Sequence, residues 1–129
     1  MVIVVAYTPD SSGEAALAYG ITEAKRRDAK IVVVNATRGD ALVDPRFAGE
    51  SAVGTMDSEL SSVEHEITQP IGPDVSDLII SEVERTGADY LVVGLRHRTP
   101  VGKLIMGSVS QRLLLDSPVP VFAVRPPRD

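Results

Sequence analysis

Gly94, Gly102, Gly107 and Ser108, set among Arg96, His97, Arg98 and Lys103, are the residues of this chain best suited to chemistry. Glycines let a backbone approach a ligand closely, and free N–H groups at a helix start attract anions. The apolar run Leu91 to Val93 stops at Gly94, and Gly107-Ser108 opens a second apolar segment with helical spacing. A strand, a basic glycine-containing loop and a helix N-terminus, in that order, predict a site for a phosphate-bearing ligand. Taken alone, Gly107-Ser108 also reads as a tight turn and an N-cap. His97 reads as a solvated loop residue or, when protonated, as a phosphate donor. Arg96, Arg98 and Lys103 read as surface charges or as phosphate contacts.

Other chemistry finds little support. Gly102-Lys103 invites comparison with a P-loop, but that motif needs an earlier Gly where His97 stands and Ser or Thr where Leu104 stands. His65 sits between Glu64 and Glu66, where alternation sends neighbouring side chains to opposite faces. No pair of histidines has metal-ligand spacing on a helix. Ser11, Ser12 and Ser108 lack a nucleophile-elbow signature. Asp10 reads as a turn or capping residue, or as a carboxylate able to approach a nucleotide-bound metal. No general base can be assigned.

Composition narrows the ligand. The 129 residues carry a net charge of −5, which argues against nucleic acid because phosphate contacts demand a basic face. Aromatics at 4% leave no stacking platform for single strands. A basic loop inside an acidic protein points to a small anion. Without cysteine, disulfides, thiolate catalysis and cysteine-ligated metals are excluded. No stretch has the length of a membrane span, and no leader precedes the first strand-like run, so a cytoplasmic protein with no membrane contact is expected.

The elements that would position the loop follow from periodicity. Val2 to Ala6 is a β-branched run suited to a strand buried on both faces. Ser11 and Glu14 have capping-box spacing for a helix to about Asp28, with Leu17, Ile21 and Ala24 inward and Glu23, Lys25, Arg26 and Arg27 in solvent. Ile31 to Val34 is a second buried strand. Residues 37–62 are hard to read beyond a short helix around Met56 and Leu60. Val63 to Ile67 predicts an edge strand. Asp74 and Asp77 cap a helix with the stripe Val75, Leu78, Ile79 and Val83, ending at Gly87. Tyr90 to Val93, Ser108 to Leu115 and Val119 to Val124 complete the pattern as strand, helix and strand. One α/β domain over residues 1–129 is expected: a flavodoxin-like or Rossmann-like parallel five-stranded sheet, order 3-2-1-4-5, with helices on both faces. Ligands of such sheets lie beyond the carboxyl ends of the strands, where the order reverses. The Gly94 loop would there face the loop after Ala6.

Over nearly its whole length the chain resembles the universal stress proteins. Nucleotide-binding members carry Gly, two residues, Gly, nine residues, then Gly followed by Ser or Thr. Gly94, Gly107 and Ser108 match, while His97 stands at the second glycine and Gly102 lies inside the nine-residue stretch. The family's first strand ends in an Asp that meets the ribose, and the matching position here is Thr8, preceded by Tyr7. The resemblance implies that Ala6 and Ala36 flank adenine and that Val93 and Gly94 line the sugar-phosphate path. Gly107, Ser108, Val109 and Ser110 would donate to the phosphates, with His97, Arg98 and Gly102 alongside. It implies a stress-linked regulator that binds ATP, with or without Mg2+, and has an unidentified regulatory protein partner. Thr8 and His97 keep two alternatives open: a member working through protein contacts alone, and a slow ATPase. The resemblance also implies a homodimer through the last strand. Val119, Val121 and Ala123 make one face of it apolar, and Pro120, Phe122 and Val124 the other, at an exposed sheet edge. Cover by the chain's own tail, Pro126 to Asp129, is the competing arrangement.

Overall fold

β-Branched residues on both faces make Val2–Ala6 (β1) the middle strand of a parallel sheet in the computed structural model, which describes residues 1–39, 44–97 and 103–127. In chain order there follow α1 (Ser11–Arg27), β2 (Lys30–Val34), α2 (Glu50–Glu59), β3 (His65–Thr68), α3 (Val75–Thr86) and β4 (Tyr90–Gly94). A small hairpin of β5 (Arg96–His97) and β6 (Leu104–Ile105) precedes α4 (Ser108–Asp116) and β7 (Val121–Val124). The five-stranded sheet runs β3-β2-β1-β4-β7, the order expected from the sequence. Val4 lies between Val32 and Leu91 in register, so the centre of the sheet is aliphatic in both directions.

Alternation along β1 divides the core. Ile3 and Val5 join Leu17 and Ala24 of α1 and Met56 of α2, while Val4 faces Ile79 and Val83 of α3 and Leu113 of α4. Two helices therefore cover each face. This explains why the strands read as continuous apolar runs rather than as alternating ones.

Two local expectations are corrected. The N-cap of α1 is Asp10, one residue before Ser11; its Oδ1 accepts from the Gly13 N–H at 2.9 Å. A carboxylate is the stronger acceptor at a helix start, and Glu14 is turned away to receive the Tyr7 hydroxyl. Glu23 is buried rather than solvated, held by Arg27 Nε at 2.8 Å and Arg26 Nη1 at 3.3 Å. The other helix ends follow the sequence. Asp74 Oδ1 accepts from Asp77 N–H at 3.1 Å, and Gly87 closes α3 at a φ of 64°, the left-handed region.

A cleft at the carboxyl ends of the central strands

Neighbouring strands β1 and β4 are followed by helices on opposite faces, α1 on one and, after the β5–β6 hairpin, α4 on the other. A cleft enclosing about 490 Å3, open to solvent, lies at their carboxyl ends. Of the residues expected there, Ala6, Tyr7, Thr8, Ala36, Val93, Gly94, Gly107, Val109 and Ser110 line it together. Ser108 does not; it is exposed and lines an adjoining groove. His97 lies in β5, paired with Leu104. Arg98 and Gly102 lie outside the described residues.

The two glycines of the expected motif differ in what holds them. A Cβ on Gly94 would come within 1.9 Å of the Ser12 carbonyl, so α1 can seat against β4 only because that side chain is missing. A Cβ on Gly107 would meet nothing within 4 Å, and its φ of −67° suits any residue. Packing gives Gly107 no reason to be glycine. It is the N-cap of α4 and makes no side-chain cap bond, and among the described residues the first-turn N–H groups have no side-chain acceptor.

Thr8 donates its hydroxyl to Asp10 Oδ1 at 2.8 Å, and Ser12 Oγ donates to the same oxygen at 2.7 Å. Burial alone would raise the Asp10 carboxyl, but the Gly13 N–H, the Ser12 and Thr8 hydroxyls and the Arg96 charge outweigh it and hold it below its ordinary value. Tyr7 is buried in the core beside α1, and burial followed by its hydrogen bond to Glu14 raises its phenol.

Cationic charge enters from two directions. Arg96, on the hairpin, lines the cleft. Arg46 lines it as well and comes from the stretch that sequence patterning could not read. Burial and then the Arg96 charge pull the Arg46 guanidinium below its ordinary pKa, so the two cations repel across the site. An anion between them would relieve that repulsion.

Arg46 is placed by a buried amide. Asn35, fully buried, donates Nδ2 to the Tyr7 carbonyl at 3.0 Å and to the Arg46 carbonyl at 2.6 Å. Its Oδ1 accepts from Ala48 N–H at 2.8 Å and Gln69 Nε2 at 3.1 Å. This ties the ends of β1 and β3 to the loop before α2. A buried Asn closing an apolar strand is the sequence signal that could have exposed the network; Arg46 itself had none.

Among the described residues no three His, Asp or Glu side chains converge as a metal site, and no helix is long and apolar enough to cross a membrane.

The universal stress protein family model matches residues 1–125. A universal stress protein of Mycolicibacterium smegmatis is 51% identical over 126 residues, covering 96% of this chain and 97% of that one. The chain belongs to the universal stress protein family. Its fold superposes on a universal stress protein from Archaeoglobus fulgidus with a TM-score of 0.79 at 28% identity, covering 96% of this chain and 98% of that one. A universal stress protein from the same organism in complex with dAMP gives 0.72 at 23% identity, over 96% and 97% of the two chains. That second likeness is one of fold.

Proposed function

We propose that this universal stress protein binds an adenine nucleotide at the cleft and acts as a regulator rather than as a catalyst. The observation that carries the reading is the approach of Arg46 and Arg96 beside an open Gly107 and an α4 N-terminus with no side-chain cap. Paired guanidiniums and unused N–H groups are the chemistry of phosphate recognition. The dAMP complex of the Archaeoglobus relative supports adenine as the base. ATP, with or without Mg2+, in a stress-response role in the cytoplasm, is the fuller form of this reading.

Ground-state phosphate binding does not accelerate chemistry. Asp10 borders the cleft beside Arg96, but one of its oxygens is committed to the α1 cap and two hydroxyls and its carboxyl is held below its ordinary value, which makes it a poor base for an attacking water. This favours binding over turnover. Releasing the ligand from freshly purified protein and identifying it by mass spectrometry tests the proposal. An adenine nucleotide at a stoichiometric level is expected; none, or a ligand without phosphate, rejects it.

A second reading, action through protein contacts alone, draws on Thr8, whose hydroxyl is already committed to Asp10. It also draws on Leu114 and Leu115, exposed by 49% and 82% on α4. Self-association through the edge strand β7 is compatible with both readings.

A further inference from the structure

Residues 46–48 are fastened to the sheet by two side-chain amides. Asn35 Nδ2 donates to the Arg46 carbonyl at 2.6 Å, and Asn35 Oδ1 accepts from the Ala48 N–H at 2.8 Å. Gln69, the residue after β3, closes the arrangement with one nitrogen. Its Nε2 donates to Asn35 Oδ1 at 3.1 Å and to the Ala48 carbonyl at 2.8 Å. With the Tyr7 carbonyl at 3.0 Å, both hydrogens and both acceptor positions of the Asn35 amide are in use.

Arg46 and Tyr7 line the cleft, whereas Asn35, Gln69 and Ala48 do not. The amide pair therefore reaches the ligand space only through what it holds. Asn35 holds the end of β1 as well as the Arg46 carbonyl, while Gln69 bears on the 46–48 loop through Ala48 and Asn35. Asp44 fixes the loop from the other side, accepting from the Arg46 N–H at 2.9 Å, and its charge favours the Arg46 cation. The charge environment of Arg46 is thus local, but its placement comes from the end of β3, two strands away from β1. A binding group works only when its supporting contacts hold it within about 0.5 Å of the productive geometry. We infer that Gln69 is a positioning residue of the nucleotide site, setting Arg46 against the phosphate without touching the ligand. The inference rests on the nucleotide reading of the cleft. By linkage, a ligand gripped by Arg46 must in turn tighten the loop that Gln69 holds.

Calorimetry with AMP on Gln69→Leu, alone and combined with Arg46→Gln or Arg96→Gln, tests it. Leucine keeps much of the volume but neither donor, which leaves the Asn35 and Ala48 oxygens each short of a partner. Gln69→Leu should weaken AMP about threefold to tenfold at unchanged stoichiometry. Made in Arg46→Gln, the same change should cost less than about twofold, and in Arg96→Gln the full factor again. A general loosening of the fold would instead lower affinity in both backgrounds alike. Hydrogen exchange on the wild type gives a readout that needs no variant to fold: saturating AMP should slow exchange at the Ala48 amide. Equal losses in the two backgrounds, no loss in Gln69→Leu alone, or Ala48 exchange untouched by AMP would overturn the inference and leave the nucleotide reading standing. Failure of the wild type to bind AMP would overturn both.

Discussion

Arg96 Nη2 lies 3.9 Å from Asp10 Oδ2, so the hairpin arginine of the cleft borders the carboxylate that caps α1. One oxygen of Asp10 serves the helix and its two flanking hydroxyls; the other tempers the cleft cation Arg96. Stability and the proposed nucleotide binding meet at this side chain.

Asp10→Asn keeps a capping oxygen but removes the counter-charge. Nucleotide affinity is expected to rise about twofold to threefold at low salt, and to rise less at high salt, because the pair is partly exposed and screened. Asp10→Ala also loses the cap and should cost about 1 kcal/mol, read as a lower melting temperature. The Asp10 carboxyl is depressed in the folded state, so its contribution is complete above about pH 4 and fades as pH falls through the lowered value. Acid melting curves of wild type and Asp10→Asn should therefore converge towards low pH.

Gly94→Ala and Gly107→Ala should behave oppositely. The first drives a Cβ into the Ser12 carbonyl, and overpacking of this kind typically costs about 1–3 kcal/mol or more. The second meets open space, so its stability should fall by no more than about 1 kcal/mol, the usual range for an altered cap. Any large loss of nucleotide affinity in Gly107→Ala would then come from crowding the ligand. Thermal melts beside calorimetry separate the two effects.

His65 ties β3 to α2. Its Nε2 sits 2.7 Å from Asp57 Oδ1 and its Nδ1 2.9 Å from the Val63 carbonyl. Both nitrogens face acceptors, an arrangement that only the protonated ring satisfies. The Asp57 hydrogen bond, then the Val63 carbonyl, raise its pKa against a smaller opposing effect of burial. A raised folded value gives stability that is complete below about pH 6.5 and lost as pH climbs through it. The melting temperature should drop on going from pH 6 to about pH 8.5, by the equivalent of under about 1 kcal/mol, since Asp57 is largely exposed. His65→Gln should flatten this slope; an unchanged slope would assign it elsewhere.

The edge strand makes a separate prediction. Pro120 and Val124 carbonyls accept from Leu91 and Leu95 of the β4 side, so alternation turns the main-chain groups of Val121 and Ala123 outward. If β7 pairs with a second copy, Ala123→Pro removes an outward donor while sparing the β4 ladder. Light scattering should find a dimer for the wild type and a monomer for the variant. A monomeric wild type at high micromolar concentration would sink the pairing.

The sheet order was readable because each central strand is an unbroken apolar run and the segments that became α1, α3 and α4 have helical spacing, which leaves few right-handed arrangements. Gly94 and Gly107 were readable because their motif is local, and Thr8 because it follows directly on the apolar run of β1. Arg46 was not. Nothing in the 37–62 stretch repeats with a helical or strand period, and Arg46 is positioned by Asn35 and Gln69, which neither precede nor follow it closely. The exchange of Ser11 for Asp10 as cap had the same origin. Local spacing favoured Ser11, but Tyr7 had claimed Glu14 from across the turn. Burial of Glu23 was missed because a charged residue between basic neighbours reads as solvated until its arginine partners are seen folding over it.

The central claim is that Arg46 and Arg96 jointly hold the phosphate of an adenine nucleotide. Calorimetric titration of AMP into wild type, Arg46→Gln and Arg96→Gln tests it most directly. The account predicts saturable binding at one site per chain, with each substitution weakening it by roughly tenfold to a hundredfold, the range for a hydrogen bond to a charged group. Absence of binding at millimolar AMP, or an affinity unmoved in both variants, would contradict it.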